Sequence, residues 1–151
     1  MSDATQYPTL AHAFAALDAL PIAGSMQINR QRLGVDYDAL TRARRLLPHV
    51  WSDGAVLTRI GMTMQGGITF AWQRAADTLE LTIDPFSLYG LRLETPAKLV
   101  DWTRASLDHA VTDLRELFGL PPLARPAAAA STPAASARAQ PARPGAAQAA
   151  R

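Results

Sequence analysis

Apolar and polar residues alternate with a period of two through residues 55–94, and recur at three-and-four spacing on either side of that stretch. Val56, Thr58, Ile60, Met62 and Met64 alternate with Leu57, Arg59, Gly61 and Thr63, which predicts a strand. Gly66-Gly67 supplies the positive φ values of a two-residue hairpin turn, after which Ile68, Phe70 and Trp72 resume the alternation. A break at 73–77 leads to Leu79, Leu81 and Ile83, and Asp84-Pro85 closes that strand. Tyr89, Leu91 and Leu93 then oppose Gly90, Arg92 and Glu94. The expected fold is α+β, built on a four-stranded antiparallel meander with one apolar face and helices packed on that face.

Three helices are expected, of which those near 37–47 and 96–118 are the available cover for that face. Pro8 can open one carrying Leu10, Ala13, Phe14 and Leu17, with Pro21 at its end. Asp36 can cap a second, with Leu40, Ala43 and Leu47 inward, Arg42, Arg44 and Arg45 largely outward, and Pro48 as its stop. Thr95-Pro96 and Gly119 bracket a third over 96–118, with Val100, Thr103, Leu107, Ala110, Leu114 and Leu117 on its inner stripe. At 1.5 Å per residue this third helix would be roughly 35 Å long, with Lys98, Asp101, Arg104, Asp108 and Arg115 facing water. Ile22–Val35 reads as a loop.

Composition changes the picture mainly at the C-terminus. Residues 124–151 hold 14 Ala, four Pro and four Arg, with no aromatic residue and no aliphatic one larger than Ala. Such a segment cannot bury enough surface to offset the entropy of ordering it, so the expected layout is one domain over 1–123 and a disordered tail over 124–151. The tail carries +4 and the body −2, so the pI of about 9.5 says nothing of a basic patch on the folded part. No cysteine is present, which removes disulfides, thiolate zinc sites and thiol nucleophiles. The opening MSDATQYPTL has neither a basic start nor a long apolar run, and a cytoplasmic protein is expected, with no membrane partner.

The residues that could carry chemistry do not form a recognisable set. His12, His49 and His109 lie on three different elements without metal-ligand spacing, no Ser sits in a G-x-S-x-G elbow, and Gly66-Gly67 lacks the further glycines of a phosphate loop. Trp51, Trp72 and Trp102 lie beside apolar runs and read as core or core edge, as do Met62 and Met64. Catalytic, metal and cofactor residues are therefore all expected to be absent. Four tail arginines would give only weak, nonspecific contact with nucleic acid. Arg59, Glu80, Arg92 and Glu94 fall together on the expected outer sheet face, where they stand as partner-binding residues or as cross-strand ion pairs.

The stretch Met62–Asp84, MTMQGGITFAWQRAADTLELTID, preceded by DALTRARRLL at 38–47, resembles a group of small bacterial proteins of no settled function. In them a helix precedes a G-G-[VI]-x-[LF]-x-W hairpin and an L-x-[IL]-x-I strand, matched here by Gly66, Gly67, Ile68, Phe70, Trp72, Leu79, Leu81 and Ile83. The resemblance covers about a third of the chain and implies a hairpin with Trp72 packed, but no activity. In size and architecture alone, the expected fold is also similar to the small α/β chaperones of bacterial secretion systems. The leading expectation is a nonenzymatic protein-interaction module, chaperone-, immunity- or antitoxin-like, whose partner is another protein; self-association stays open. The alternative is a small enzyme or ligand-binding domain with a site on the outer sheet face.

Overall fold

Helix and strand alternate along the chain as α1 (Leu10–Asp18), β1 (Met26–Ile28), β2 (Gln31–Leu33), α2 (Tyr37–Val50), β3 (Val56–Met62), β4 (Ile68–Arg74), β5 (Asp77–Ile83), β6 (Tyr89–Glu94), β7 (Leu99–Arg104) and α3 (Leu107–Leu117). The structure is a computed structural model that describes residues 6–23, 26–28 and 31–124. Apart from Ala124, the expected tail lies outside the described residues. Strands β3 to β7 form one antiparallel sheet in sequence order, so the meander has five strands where four were expected. The helices lie against one face of it.

The fifth strand replaces the first half of the expected long helix. Thr95 N–H donates to the Lys98 carbonyl at 2.9 Å and Lys98 N–H to Thr95 Oγ1 at 3.1 Å, so Thr95-Pro96-Ala97-Lys98 is a tight turn. The chain then runs back beside β6, pairing Leu93 with Val100 and Leu91 with Trp102. Val-Asp-Trp-Thr also alternates with period two and is rich in β-branched and aromatic residues; the open edge of β6 decides between the two periods. The true helix starts at its own cap, Ser106, whose hydroxyl accepts from His109 N–H at 3.2 Å. It ends as expected at Gly119 (φ +67), where Gly119 N–H bonds the Glu116 carbonyl and Leu120 N–H that of Arg115.

Other boundaries also moved. Asp36 caps α2, accepting from Asp38 and Ala39 N–H, but the helix passes through Pro48 to Val50. Proline there deletes one hydrogen bond in the last turn, and full burial of Leu46, Leu47 and Val50 holds that turn in place. Within the expected loop, β1 pairs with β2 and Ile22 bridges Val35 in parallel. Strands of three residues are too short for a periodicity reading to resolve.

In β3 the alternation changes phase. A bulge between Leu57 and Arg59 puts Leu57 (1% exposed), Ile60 and Met62 on the inner face and leaves Val56 43% exposed. The expected inward row through Val56 and Thr58 is therefore corrected, and Thr58 bonds the Ala71 carbonyl instead. The β3–β4 connection is a five-residue loop, not a two-residue turn. Only Gly66 has positive φ (+89); Gly67 is needed because a Cβ there would stand 2.5 Å from the Ile83 carbonyl oxygen.

The inner face has three cross-sheet rows: Leu57-Trp72-Leu79-Leu93-Val100, Ile60-Phe70-Leu81-Leu91-Trp102 and Met62-Ile68-Ile83-Tyr89-Arg104. Trp72 stacks on Phe70 and meets the edge of Phe118 just past α3, both at 5.5 Å between ring centres. α2 supplies Ala39, Ala43, Leu46, Leu47 and Val50 to the same core, and α1 adds Ala13 and Leu17. Each large side chain buried here is worth roughly 1.5–3 kcal/mol.

Candidate functional site

The outer sheet face has no helix over it among the described residues, and it gathers the charged residues expected there. Ala71 lies between Arg59 on β3 and Glu80 on β5. Its small side chain lets Arg59 reach across a whole strand to Glu80, 2.7 Å away, and the pair covers Ala71 to 6% exposure. Arg92, beside Glu80 in register, instead turns to Asp101 on β7 at 2.8 Å. Hydrogen bonding to Asp101 and its charge raise the Arg92 pKa further. Glu94 stands two residues on along the same face and makes none of the four ion pairs among the described residues. The next row, Gly61-Thr69-Thr82-Gly90-Thr103, is small and uncharged. Gly90 leaves a shallow dip of about 360 Å³ beside Glu80, Arg92 and Asp101.

Asp113 on α3 ties that helix to the sheet edge. Its carboxylate accepts from Trp102 Nε1 at 2.8 Å and from Arg104 Nε at 2.7 Å. Burial alone would raise the Asp113 pKa, but the hydrogen bonds from Arg104 and Trp102 outweigh it and hold the carboxyl below its ordinary value. Asp101, expected on the wet face of a helix, thus belongs to a strand, and Asp113 to a half-buried cluster.

Arg42, expected to face outward, is half-buried. It reaches under the β5–β6 turn, donating to the Asp84 carbonyl at 2.7 Å, with its guanidinium 5.7 Å from the centre of the Tyr89 ring. It also bonds the Asp38 carbonyl, while its buried Nη1 has no hydrogen-bond partner among the described residues. The bond to Asp84 ties α2 to the end of the sheet where three turns meet. Asp36 N–H donates to the Gly66 carbonyl at 2.8 Å, and Gly67 packs against the backbone of Ile83 and Asp84.

This end carries the most exposed of the large apolar side chains among the described residues. Tyr37 at the start of α2 is 69% exposed, Met64 in the β3–β4 loop 74%, and Phe86 in the β5–β6 turn 80%. Leu88 and Ile22 add to the same end. Around them stand the carboxylates of Asp36, Asp38 and Asp84, two of which are used locally: Asp36 caps α2, and Asp84 accepts from Phe86 and Leu88 N–H at 2.8 Å each. Met64 is thus not core, because β3 ends at Met62 and the next residues turn. A sequence signal did exist: a Phe between Pro85 and Ser87, and a Met beside Gln65-Gly66, put large apolar groups where turns are ordinarily polar.

Elsewhere the aromatic residues pack as expected: Trp72 is buried, and Trp51 and Trp102 are half-buried against the core. His12, His49 and His109 are exposed, and the described residues contain no cluster of three metal-ligating side chains. None of the polar or charged residues whose side chains are described is buried. No described helix is long and apolar enough to cross a membrane. Comparison with protein-family models, curated proteins and solved structures gives no match.

Proposed function

We propose that this chain is a nonenzymatic, cytoplasmic protein-interaction module that docks another protein through the turn end of its sheet. The observation that carries the reading is the exposure of Phe86 and Met64 on two turns and of Tyr37 at the start of α2, segments that hydrogen-bond or pack against one another. A stable fold has no use for such groups in water, whereas aromatic residues and Met are enriched where proteins bury surface against partners. Burying each on a partner would return roughly 1.5–3 kcal/mol of transfer free energy. Chaperone-, immunity- or antitoxin-like roles are special cases of the same activity.

Arg59, Glu80, Arg92 and Glu94 take second place in this reading. Three of the four are already paired, Arg59 with Glu80 and Arg92 with Asp101, so a partner would have to compete with bonds already made. They suit the rim of an interface better than its centre. The test is quantitative capture from extracts of cells that express the gene, comparing the full chain with a Tyr37→Ser, Met64→Ser, Phe86→Ser variant. A stoichiometric partner lost by the variant supports the reading; a partner that binds both alike moves the site elsewhere.

A further inference from the structure

The turn end is apolar at its centre and negative around it. Tyr37 stands between Asp36 and Asp38 in the chain, and Phe86 follows Asp84 by two residues. Asp36 and Asp84 flank one dipeptide. A Cβ on Gly66 would stand 3.7 Å from Asp36 Cβ, and one on Gly67 3.3 Å from Asp84 Cα. Each of these two carboxylates uses a single oxygen on the local backbone. Asp36 Oδ1 accepts from both Asp38 and Ala39 N–H, and Asp84 Oδ1 from both Phe86 and Leu88 N–H. Both Oδ2 atoms and the whole Asp38 carboxylate have no hydrogen-bond partner among the described residues. None of the three carboxylates belongs to an ion pair there either. Arg42 bonds the Asp38 and Asp84 main-chain carbonyls and leaves the carboxylates free. Counting its charge and the half charge of the α2 N-terminus against the three aspartates, this end keeps a balance of about −1.5.

We propose, on the reading of this end as a docking surface, that the segment it takes is cationic and amphipathic. An apolar stripe of the partner seats on Phe86, Met64 and Tyr37, and flanking Lys or Arg side chains reach the free oxygens of Asp36, Asp38 and Asp84. Apolar contact supplies affinity, and the carboxylates choose among apolar segments. Arginine suits them well, because its planar fork donates two parallel hydrogen bonds to a carboxylate. A nucleic acid or an anionic bilayer would meet repulsion around the same apolar groups, as would a second copy presenting this same end. The chain's own residues 125–151 offer four Arg but no aromatic residue and no aliphatic one larger than Ala, so they bring the charges without the stripe.

Selection of random displayed peptides on the full chain, followed by titration of the selected sequences as synthetic probes, tests this. Bound peptides are expected to join Leu, Phe or Trp with Lys or Arg and to be poor in Asp and Glu. Asparagine keeps the Oδ1 acceptor and caps a helix as well as aspartate does. Asp36→Asn, Asp38→Asn and Asp84→Asn together therefore remove the charge while the backbone bonds and the melting temperature are kept. Affinity for the selected peptides should fall roughly three- to hundred-fold, as the loss of three exposed ion pairs would give. Added salt should weaken wild-type binding and hardly change that of the asparagine variant. Selected peptides without basic residues, or peptides that bind wild type and the folded asparagine variant alike at low and high salt, overturn the cationic partner. If such peptides are still lost by the Tyr37→Ser, Met64→Ser, Phe86→Ser variant, the docking surface stands with a different partner chemistry. Peptides that ignore that variant, or a selection that yields none, overturn both.

Discussion

Phe70 and Phe86 lie on neighbouring strands' worth of chain, yet one is fully buried and the other 80% exposed. Phe70 stands on the inner sheet face beneath the helices, in a row with Ile60 and Leu81; Phe86 stands on a turn whose backbone is held by the Asp84 carboxylate. The first ring is held by packing. The second is merely displayed, and the fold would survive without it. The difference separates residues that make the structure from residues that the structure presents, and each prediction below presses on that line.

The largest effect belongs to the inner face. Trp72→Ala removes a ring that touches both Phe70 and Phe118 and should cost about 3–5 kcal/mol, a large part of an ordinary domain's 5–15 kcal/mol. Urea denaturation reads this directly. A loss below about 1 kcal/mol would mean that the inner face is not the core.

Next comes the junction between β7 and α3. Asp113→Asn weakens the bonds from Trp102 and Arg104 and should cost about 1–2 kcal/mol at neutral pH. Because the folded carboxyl has a lowered pKa, its contribution is complete above the unfolded value of 3.8 and is lost as pH falls through the folded value. The gap between wild type and variant should therefore close on acidification. Stability curves that stay parallel down to about pH 2.5 would break the assignment.

Smaller still is the outer face. Glu80→Gln removes the Arg59 pair, whose arginine is largely exposed, so a change under about 1 kcal/mol is expected, shrinking with salt. A larger loss in thermal melts would make the outer face part of the stabilising structure after all.

The same division explains what could be read from the chain beforehand. The strands at 68–74, 77–83 and 89–94 announce themselves because one face is dry and the other wet, and period two follows from that. Trp72 and the cap at Asp36 were legible for the same local reasons. β7 was not, because Val100, Thr103 and Leu107 fit a helical stripe as well as Val100 and Trp102 fit a strand; only the vacant edge of β6 separates the readings. The bulge after Leu57 is likewise invisible until β3 must match β4. On the candidate surfaces, Arg59, Glu80 and Arg92 were placed together correctly, since strand register follows from alternation. The turn end was missed because it depends on three distant turns meeting, and the arginine that ties α2 to it, Arg42, read as a surface residue.

The sharpest test sits at the smallest effect on stability. Tyr37→Ser, Met64→Ser and Phe86→Ser together should leave the melting temperature within a degree or two, because side chains 69–80% exposed contribute little to the fold. Titration of the captured partner against wild type, this variant and Glu80→Gln is the direct measurement. Binding is expected to be lost by the triple variant and kept by Glu80→Gln. Equal affinity for wild type and a folded triple variant would contradict that expectation.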